Sequence, residues 1–305
     1  DRTGEAGGDV RTIARVHTLL RYYQSFMASN EVDDAICTMA GPNVSHLKLR
    51  LGILTSRFRS NHPLKACPLC MAHDAQTTGW AYWHLQHQYP GIWACGSHRL
   101  PLLQSTLKAT GVQRFQWLLP NSGDLQHVPI DNARTLDALM SLSTLVQNIV
   151  RRGAEQPLAV ARLHEVYRHE LRHRNWITSA GHLRSLEISG AFLKYAELIR
   201  GVPEFSGLPK DAAETSTQLS RLLSPPRSGT HPLRHLMLIH WLFGTAAKFE
   251  EVCAQVFKAA ELPRIESRPA LEIDVEYSRR ELLARLIREE GRSVRQAARA
   301  ICIDT

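Results

Sequence analysis

Two short cysteine motifs, separated by 24 residues, constrain the fold of this chain more than any other feature. The first has the form C-P-L-C and places Cys67 and Cys70 three positions apart; the second has the form C-G-S-H and does the same for Cys95 and His98. A gap of two residues lets both side chains of a motif reach one ion, and two motifs supply the four tetrahedral ligands that Zn²⁺ prefers. Because four protein ligands leave no open position for a catalytic water, the pattern predicts one closed, structural zinc site.

The segment between the two motifs is rich in aromatic residues, and two interpretations of it are open. Exposed rings would stack on nucleic-acid bases. Buried rings would supply the core of a module too small for an aliphatic one, and this second interpretation is favoured. The same segment contains His84 and His87, which we interpret as polar members of a helix. The aromatic residues are Trp80, Tyr82, Trp83, Tyr89 and Trp93.

The composition is that of an ordinary globular protein, with 44% hydrophobic and 22% charged residues in 305. This length suffices for two or three compact units. No apolar run approaches the roughly 18 residues of a membrane span, and the start does not resemble a signal peptide, so we expect a cytoplasmic protein with no membrane partner. Cys37, Cys253 and Cys302 occur singly, which indicates buried packing residues and not a disulfide framework.

The charge balance is basic, with a formal net charge of +8 at pH 7 and far more arginine than lysine. Such an excess favours a polyanionic partner such as DNA, RNA or an anionic surface. Arginine adds a planar fork that can bind a phosphate or a guanine edge in bidentate fashion. Nucleic acid is therefore the predicted partner class.

Apolar residues recur at helical spacing along most of the chain, and few segments alternate as strands do. The sequence therefore predicts a mainly α fold, with the Cys3His zinc-binding module embedded among helical domains that resemble helix-turn-helix units. The predicted helices cover residues 10–26, 45–58, 135–152, 158–173, 182–199, 233–243, 278–290 and 293–301.

Five segments are predicted. They are an N-terminal helical segment (1–60), a zinc-finger module (61–125), a helical, helix-turn-helix-like segment (126–205), a further helical domain (206–275), and the start of a C-terminal helix-turn-helix (276–305). Residues 201–213 are interpreted as a linker. Because the chain begins without methionine and stops inside an unfinished helical motif, we expect it to be part of a longer protein.

One predicted helix, from Leu233 to Phe243, is apolar nearly all round and is therefore expected to be buried. Thr230 is its predicted cap and Pro232 suits its first turn. The basic residues around this helix are expected at its exposed rim; they are Arg221, Arg227, Arg234 and His235.

Few enzymatic motifs are evident in the sequence. The P-loop and G-x-S-x-G patterns do not occur, and H-E-x-x-H occurs once, from His169 to His173. Spacing alone leaves open a nuclease-like carboxylate cluster, but the acidic pairs at 33–34, 250–251 and 289–290 are more simply solvated helix faces. A zinc hydrolase is disfavoured by the four closed ligands, so we predict that the chain is not an enzyme.

The stretch CPLCMAHDAQTTGWAYWHLQHQYPGIWACGSHRLPLL resembles the zinc module of the TniQ/TnsD family of transposon target-selection proteins. That module has C-P-x-C, a tryptophan and histidine segment, P-G, C-x-x-H and a P-L-L tail. Upstream, HTLLRYYQSFM and LRLGILTSRFRS resemble the preceding segments of the family. Downstream, THPLRHLMLIHWLFG resembles a segment of the longer TnsD-type members, and RRELLARLIREEGRSVRQAAR resembles their helix-turn-helix units.

The resemblance implies a non-catalytic bacterial protein, associated with the nucleoid, that binds an attachment site on double-stranded DNA. It implies recruitment of an AAA+ ATPase regulator, TnsC, which directs a heteromeric transposase, and it implies Cys67, Cys70, Cys95 and His98 as ligands of one structural Zn²⁺. Shorter TniQ members instead link a CRISPR effector complex to transposition, and this is the alternative. The downstream TnsD-like segments favour direct DNA reading.

The DNA contacts are predicted from basic and polar residues at helix starts and on one central helix. The helix over 182–195 is the first candidate, although a packing role for it has comparable weight. Helix starts also offer free N–H groups to phosphate. The candidate contacts are Arg184, Ser185, Lys194, Arg227, Arg234, Arg292, Ser293, Arg295 and Gln296.

Overall fold

The computed structural model describes residues 8–42, 44, 46–53, 58, 63–107, 118–130, 132–225 and 230–261. The chain divides into two compact units, Asp1–Val256 and Phe257–Thr305, and nearly all described residues belong to the first. Twelve α-helices and three short β-strands form most of the regular structure of these residues. The prediction of a mainly α fold is confirmed.

Four helices precede the cysteine module. The Asp9 side chain accepts the Thr12 N–H and so caps the first of them. The helix predicted over 45–58 is seen only at Leu47–Arg50, because Gly52, with φ of 70°, turns the chain there. The four are α1 (Val10–His17), α2 (Leu20–Tyr23), α3 (Ser29–Ala40) and α4 (Leu47–Arg50), with a 3-10 turn at Gln24–Phe26.

The cysteine module combines two helices with a small antiparallel sheet. Its helices are α5 (Pro68–Thr78) and α6 (Leu85–Gln88). Its strands are β1 (Lys65–Ala66), β2 (Leu103–Ser105) and β3 (Leu125–Gln126), in the order β1-β2-β3. Strands β1 and β2 flank the two cysteine motifs in sequence, so their pairing closes the module.

Six helices follow the module. They are α7 (Ala133–Gly153), α8 (Leu163–His173), α9 (Ser185–Ile199), α10 (Ala212–Leu222), α11 (Pro232–Phe243) and α12 (Ala246–Glu261). Asn132 caps α7, since its side chain accepts the Thr135 N–H. Helix α7 ends at Gly153 against the N-terminal segment: a Cβ at Gly153 would lie 2.9 Å from the Cα of Ser25, so only glycine permits this approach.

Helix α11 lies in the core, as its all-round apolar pattern predicts. Its cap is His231, whose Nδ1 accepts the Leu233 N–H at 3.2 Å, and not Thr230. The expectation that His235 lies at an exposed rim is wrong, because its ring packs against those of Phe26 and Tyr167 and is only 4% exposed. The fully buried apolar residues of α11 are Leu233, Leu236, Met237, Leu238 and Ile239.

Three tyrosine–histidine pairs connect α11 to other helices. Tyr23 Oη lies 3.2 Å from His231 Nε2, Tyr167 Oη lies 3.0 Å from His235 Nδ1, and Tyr195 Oη lies 2.9 Å from His240 Nδ1. The tyrosines belong to α2, α8 and α9, which places three separate parts of the chain against one helix. Each pair satisfies polar groups that would otherwise be costly to bury.

Acidification is expected to destabilise the protein between pH 6.5 and about pH 4 through His235. Burial, with a smaller effect of Arg234, lowers the pKa of His235 to about 4, whereas the unfolded chain keeps a value near 6.5. Within this window the unfolded state binds a proton that the folded state excludes, so the free energy of unfolding falls as the pH falls. At about 1.4 kcal/mol per pKa unit, the loss is roughly 3 kcal/mol.

Urea denaturation at pH 7 and pH 4.5 measures this effect. His235→Gln keeps an acceptor for Tyr167 but removes the titration, so its stability should depend less on pH than that of the wild type. Equal pH dependence in the two proteins would contradict the role given to His235.

The segment 201–213 is not a linker. It contains a 3-10 turn, Pro203–Gly207, and buries Val202, Phe205 and Leu208 together with the carboxylate of Glu204. The three apolar residues are spaced three positions apart, which matches the three residues per turn of a 3-10 helix. The five predicted segments remain a prediction; within 1–256 they share contacts such as that of Tyr23 with His231. Among the described residues, no helix has the length and apolarity needed to cross a membrane.

Candidate metal centre

Strand pairing and a helix start bring the first cysteine motif into position. Ala66 of β1 pairs with Leu103 of β2, which places the residues after β1 beside those before β2. Cys67 then takes the N-cap position of α5, with Pro68 as the first helical residue, and Cys70 lies in the first turn. Both sulfurs therefore point from the same helix start.

The second motif forms a tight turn. The Cys95 N–H donates to the Leu100 carbonyl at 2.8 Å, and the Arg99 N–H donates to the Cys95 carbonyl at 2.9 Å. Arg99 has a φ of 53°, which lets the chain reverse directly after His98. Gly96 lies against Gln147 of α7, since an added Cβ would lie 2.6 Å from the Gln147 Oε1.

The structure brings the four predicted ligand atoms together within 4.8 Å of one another. The Cys70 and Cys95 sulfurs are 3.7 Å apart, and His98 Nδ1 lies 3.5, 3.3 and 3.6 Å from the sulfurs of Cys67, Cys70 and Cys95. With Zn–S bonds of about 2.3 Å and a Zn–N bond of about 2.0 Å, a tetrahedron has S–S edges of about 3.8 Å and S–N edges of about 3.5 Å. The donor set and its spacing fit a tetrahedral Zn²⁺.

The environment of the sulfurs also fits a cation. The three cysteines are buried and His98 is half-buried. Burial, and then the neighbouring thiols, raise the pKa of Cys70 well above its usual range, and burial likewise raises the pKa of Cys67. Thiolates at this spacing are therefore unfavourable without a divalent cation between them. Among the described residues, this is the one group of three or more potential ligands close enough to share an ion.

A buried lysine connects strand β1 to the segment that precedes the second cysteine motif. The Lys65 side chain is 1% exposed, and its Nζ donates to the carbonyls of Ile92 at 2.7 Å and Tyr89 at 3.2 Å. Nζ also lies 4.7 Å from the centre of the Trp93 ring and 3.8 Å from Glu204 Oε2. Burial lowers the pKa of Lys65, and the Glu204 carboxylate opposes that shift.

Glu204 completes the arrangement from the other side of the chain. Its carboxylate is 1% exposed and accepts the indole N–H of Trp93 and, at 3.1 Å, the N–H of Gly91. Lys65 and Glu204 thus form a buried ion pair between the cysteine module and the 3-10 turn Pro203–Gly207. Sequence reasoning missed this pair, although the three-residue spacing of apolar residues around Glu204 could have indicated that the segment is packed.

The aromatic residues of the module differ in their burial, and Trp83 is intermediate. Tyr89 and Trp93 are buried at 5% and 1% exposure, so the core interpretation is right for them. Trp83 donates its indole N–H to the Leu118 carbonyl at 2.7 Å. Trp80 and Tyr82 are 61% and 42% exposed, and the core interpretation is wrong for these two.

His84 and His87 differ in their surroundings. His84 takes the N-cap position of α6, and its Nε2 lies 2.8 Å from the carboxylate of Asp74. His87 lies within α6, as interpreted, but is 1% exposed, and burial lowers its pKa to about 4. The pair is therefore part of the packing of the module.

The predicted DNA contacts on α9 are not gathered at one place. Arg184 is exposed at the N-cap and pairs with Glu187 at 3.3 Å, and Ser185 is the exposed first residue. Lys194 is also exposed, but ten residues of helical rise separate it from Arg184 by about 15 Å. The helix itself begins at Ser185 and runs to Ile199, and its buried face includes Phe192.

Of the other predicted contacts, only Arg234 falls on described residues. It is half-buried on α11, and its guanidinium lies 5.5 Å from the centre of the Phe58 ring, so packing accounts for part of its side chain. The predicted C-terminal helix-turn-helix also lies outside the described residues. The contacts that lie there are Arg227, Arg292, Ser293, Arg295 and Gln296.

Comparison with known proteins matches two parts of the chain. The family described as TniQ matches residues 3–102, which include the four clustered ligand atoms, and the family described as Tn7-like transposition protein D matches residues 142–263. The Escherichia coli protein named transposon Tn7 transposition protein TnsD is 28% identical over 131 residues, which are 43% of this chain. The matched stretch spans 25% of that relative's length.

Proposed function

Because the chain belongs to the TniQ/TnsD family of Tn7-like transposition proteins, we propose that it selects a transposon target by binding an attachment site on double-stranded DNA. The observation that carries this proposal is the match of residues 142–263 to Tn7-like transposition protein D. The net charge of +8 supports a polyanionic ligand.

The role proposed for the metal is structural. Cys67, Cys70, Cys95 and His98 would bind Zn²⁺, which would supply folding energy to the module. Four protein ligands leave no position for a reacting water, so we assign the chain no catalytic role. The buried pair of Lys65 and Glu204 would hold the module in a fixed position relative to the helices that follow it.

The bound protein would mark the insertion site and recruit an AAA+ ATPase regulator of the TnsC type, within the cytoplasm of a bacterium. Arginine and lysine contacts to phosphate would position the chain, and side chains in the major groove would read bases. The alternative is a TniQ-type adaptor that links a CRISPR effector complex to the transposition machinery. That alternative predicts no sequence preference of the chain itself.

Selection from a random duplex library is expected to enrich a defined sequence. The enriched duplex should bind the 305-residue chain at least about 1,000-fold more tightly than a scrambled duplex at physiological salt, as specific DNA readers do. Titrations of both duplexes over a salt series, followed by fluorescence anisotropy, measure the ratio.

Equal affinity for the enriched and scrambled duplexes would contradict direct target reading. Pull-down of TnsC in the presence of the enriched duplex tests recruitment separately, and the scrambled duplex serves as its matched control.

A further inference from the structure

The segment from Arg162 to Arg184 has an unusual concentration of cationic and imidazole side chains. It contains five arginines and four histidines against two glutamates, whereas the whole chain has 37 basic and 29 acidic residues. The segment comprises α8 and its connection to α9. A helix-turn-helix has a turn of about three or four residues at such a place, but this connection spans residues 174–184.

The connection folds as a small hairpin. Ile177 and Leu183 form a β-bridge, and the Thr178 N–H donates to the His182 carbonyl at 2.9 Å. The Gly181 N–H donates back to the Thr178 carbonyl at 2.9 Å, and Gly181 has a φ of 84°. The chain therefore reverses in a tight turn at 178–181 that requires glycine at its end.

The base of this hairpin is fixed to the core. The Trp176 ring stacks on Trp241 of α11, with centres 5.3 Å apart and planes at 12°. The Arg174 guanidinium lies 5.5 Å from the centre of the Trp176 ring, and the Arg184 N–H donates to the Trp176 carbonyl at 2.9 Å. A hairpin held in this way loses little further conformational entropy when a ligand binds it.

The hairpin continues a basic stripe of α8. Arg168 and Arg172 are four residues apart and so lie on one face of the helix. The Arg168 guanidinium donates to the Gly181 carbonyl at 3.2 Å, which places the turn of the hairpin beside this stripe. Arg172, His173 and His182 are exposed, and their side chains have no hydrogen-bond or ion-pair partner among the described residues. We name Arg168, Arg172, His173, His182 and Arg184 the basic hairpin surface.

Three carboxylates lie close to this surface in sequence and do not neutralise it. Glu165 pairs with Arg162 at 2.9 Å. Glu170 pairs with Arg174 and is only 13% exposed. Glu187 pairs with Arg184, but both side chains are about half exposed, and such a pair contributes little and exchanges readily for another partner. The charge of Arg172 is thus presented to solvent.

We propose that the basic hairpin surface contacts the phosphate backbone of duplex DNA. This inference rests on the proposed function and assigns it a surface. Arginine forks and imidazole N–H groups donate to phosphate oxygens, and the small exposed residues Ser179 and Ala180 at the turn let a backbone approach closely. Contacts of this kind position a protein on the duplex without reading its sequence.

The test is the double variant Arg172→Gln with Arg184→Gln. Both arginines are exposed, so the variant should keep the wild-type melting temperature. Loss of two phosphate contacts should reduce the slope of log K against log salt by about two, and it should weaken binding about tenfold per contact near 0.1 M salt. The loss should be the same for the enriched duplex and for a scrambled duplex of equal length, because phosphates are common to both.

Two variants serve as matched controls. Arg151→Gln removes an exposed arginine from the end of α7, outside the surface, and should leave the salt slope unchanged. Glu187→Gln removes a negative charge beside Arg184 and should tighten binding to both duplexes. Partial unfolding would weaken DNA binding, so tighter binding by Glu187→Gln cannot be explained by a loss of structure.

The outcomes separate the two proposals. If the wild type prefers the enriched duplex and the double variant binds with the same affinity and slope, the basic hairpin surface is wrong and the proposed function stands. A second outcome is that no sequence is enriched, but the double variant binds an arbitrary duplex more weakly than the wild type at low salt and with the reduced salt slope. In that case the surface stands and target reading is wrong. If the wild type binds no duplex even at low salt, both are wrong.

Discussion

Removal of the zinc proposed at the Cys3His cluster is expected to unfold the cysteine module and to release the tertiary contacts that depend on it. The four donor atoms lie within 4.8 Å, and the strands that close the module are only two or three residues long. Metal binding supplies on the order of 10 kcal/mol of folding free energy in sites of this kind. This exceeds what a small module gains from its core, so chelation should abolish its structure.

The measurement combines metal content with tertiary structure. As purified, the chain should contain one zinc, with three sulfurs, one nitrogen and no oxygen in its X-ray absorption spectrum. Chelation, or Cys95→Ser, should remove the zinc, collapse the near-ultraviolet circular dichroism and shift the tryptophan emission to the red as Trp93 becomes exposed. Cys37→Ser is the matched control, because Cys37, contrary to the prediction of a buried residue, is exposed and lies outside the cluster; it should keep one zinc.

A chelated protein that retains the native near-ultraviolet spectrum would contradict the structural role. An oxygen ligand in the absorption spectrum would instead indicate an open, hydrolase-like site.

Lys65→Met is expected to lower the free energy of unfolding by about 3–5 kcal/mol, the usual cost of leaving one partner of a buried ion pair uncompensated. In this variant the Glu204 carboxylate would keep the N–H groups of Trp93 and Gly91 as donors but would lose the Lys65 ammonium. Urea denaturation with tryptophan fluorescence measures the loss.

The second substitution in the same background makes the test specific. Glu204→Gln removes the buried negative charge and can still accept one of the two hydrogen bonds, so the double variant should recover part of the lost stability. Lys248→Met is the matched control: Lys248 pairs with Glu251 at 2.9 Å, both side chains are about half exposed, and the cost should be below about 1 kcal/mol. Equal losses at Lys65 and Lys248, or strictly additive losses at Lys65 and Glu204, would contradict the buried pair.

The features that could be predicted from the sequence are those determined by local spacing. The two cysteine motifs place their donors through one helix start and one turn, and α11 is buried because its apolar residues surround the helix. The Asn132 cap depends on a side chain only three residues from its donor. Each of these features needs little knowledge of the rest of the fold.

The features that could not be predicted depend on contacts between distant segments. Lys65 and Glu204 are charged residues, and such residues normally face water. Only the tertiary fold shows that the two are buried together as an ion pair. The burial of Trp93 and the exposure of Trp80 follow from which side of the module faces the helices, and residue spacing does not encode that side. His235 is buried for the same reason, since its partner Tyr167 is contributed by α8.

The Lys65–Glu204 and Tyr23–His231 contacts have a consequence for protein engineering. Each contact joins a residue of the region matched by TniQ to a residue of the region matched by Tn7-like transposition protein D. A chimera that combines the first region of this chain with the second region of a relative would therefore juxtapose partners that did not evolve together. Exchange of halves should therefore require that contacting residues across the two regions, those at 23, 65, 204 and 231 among them, are transferred together.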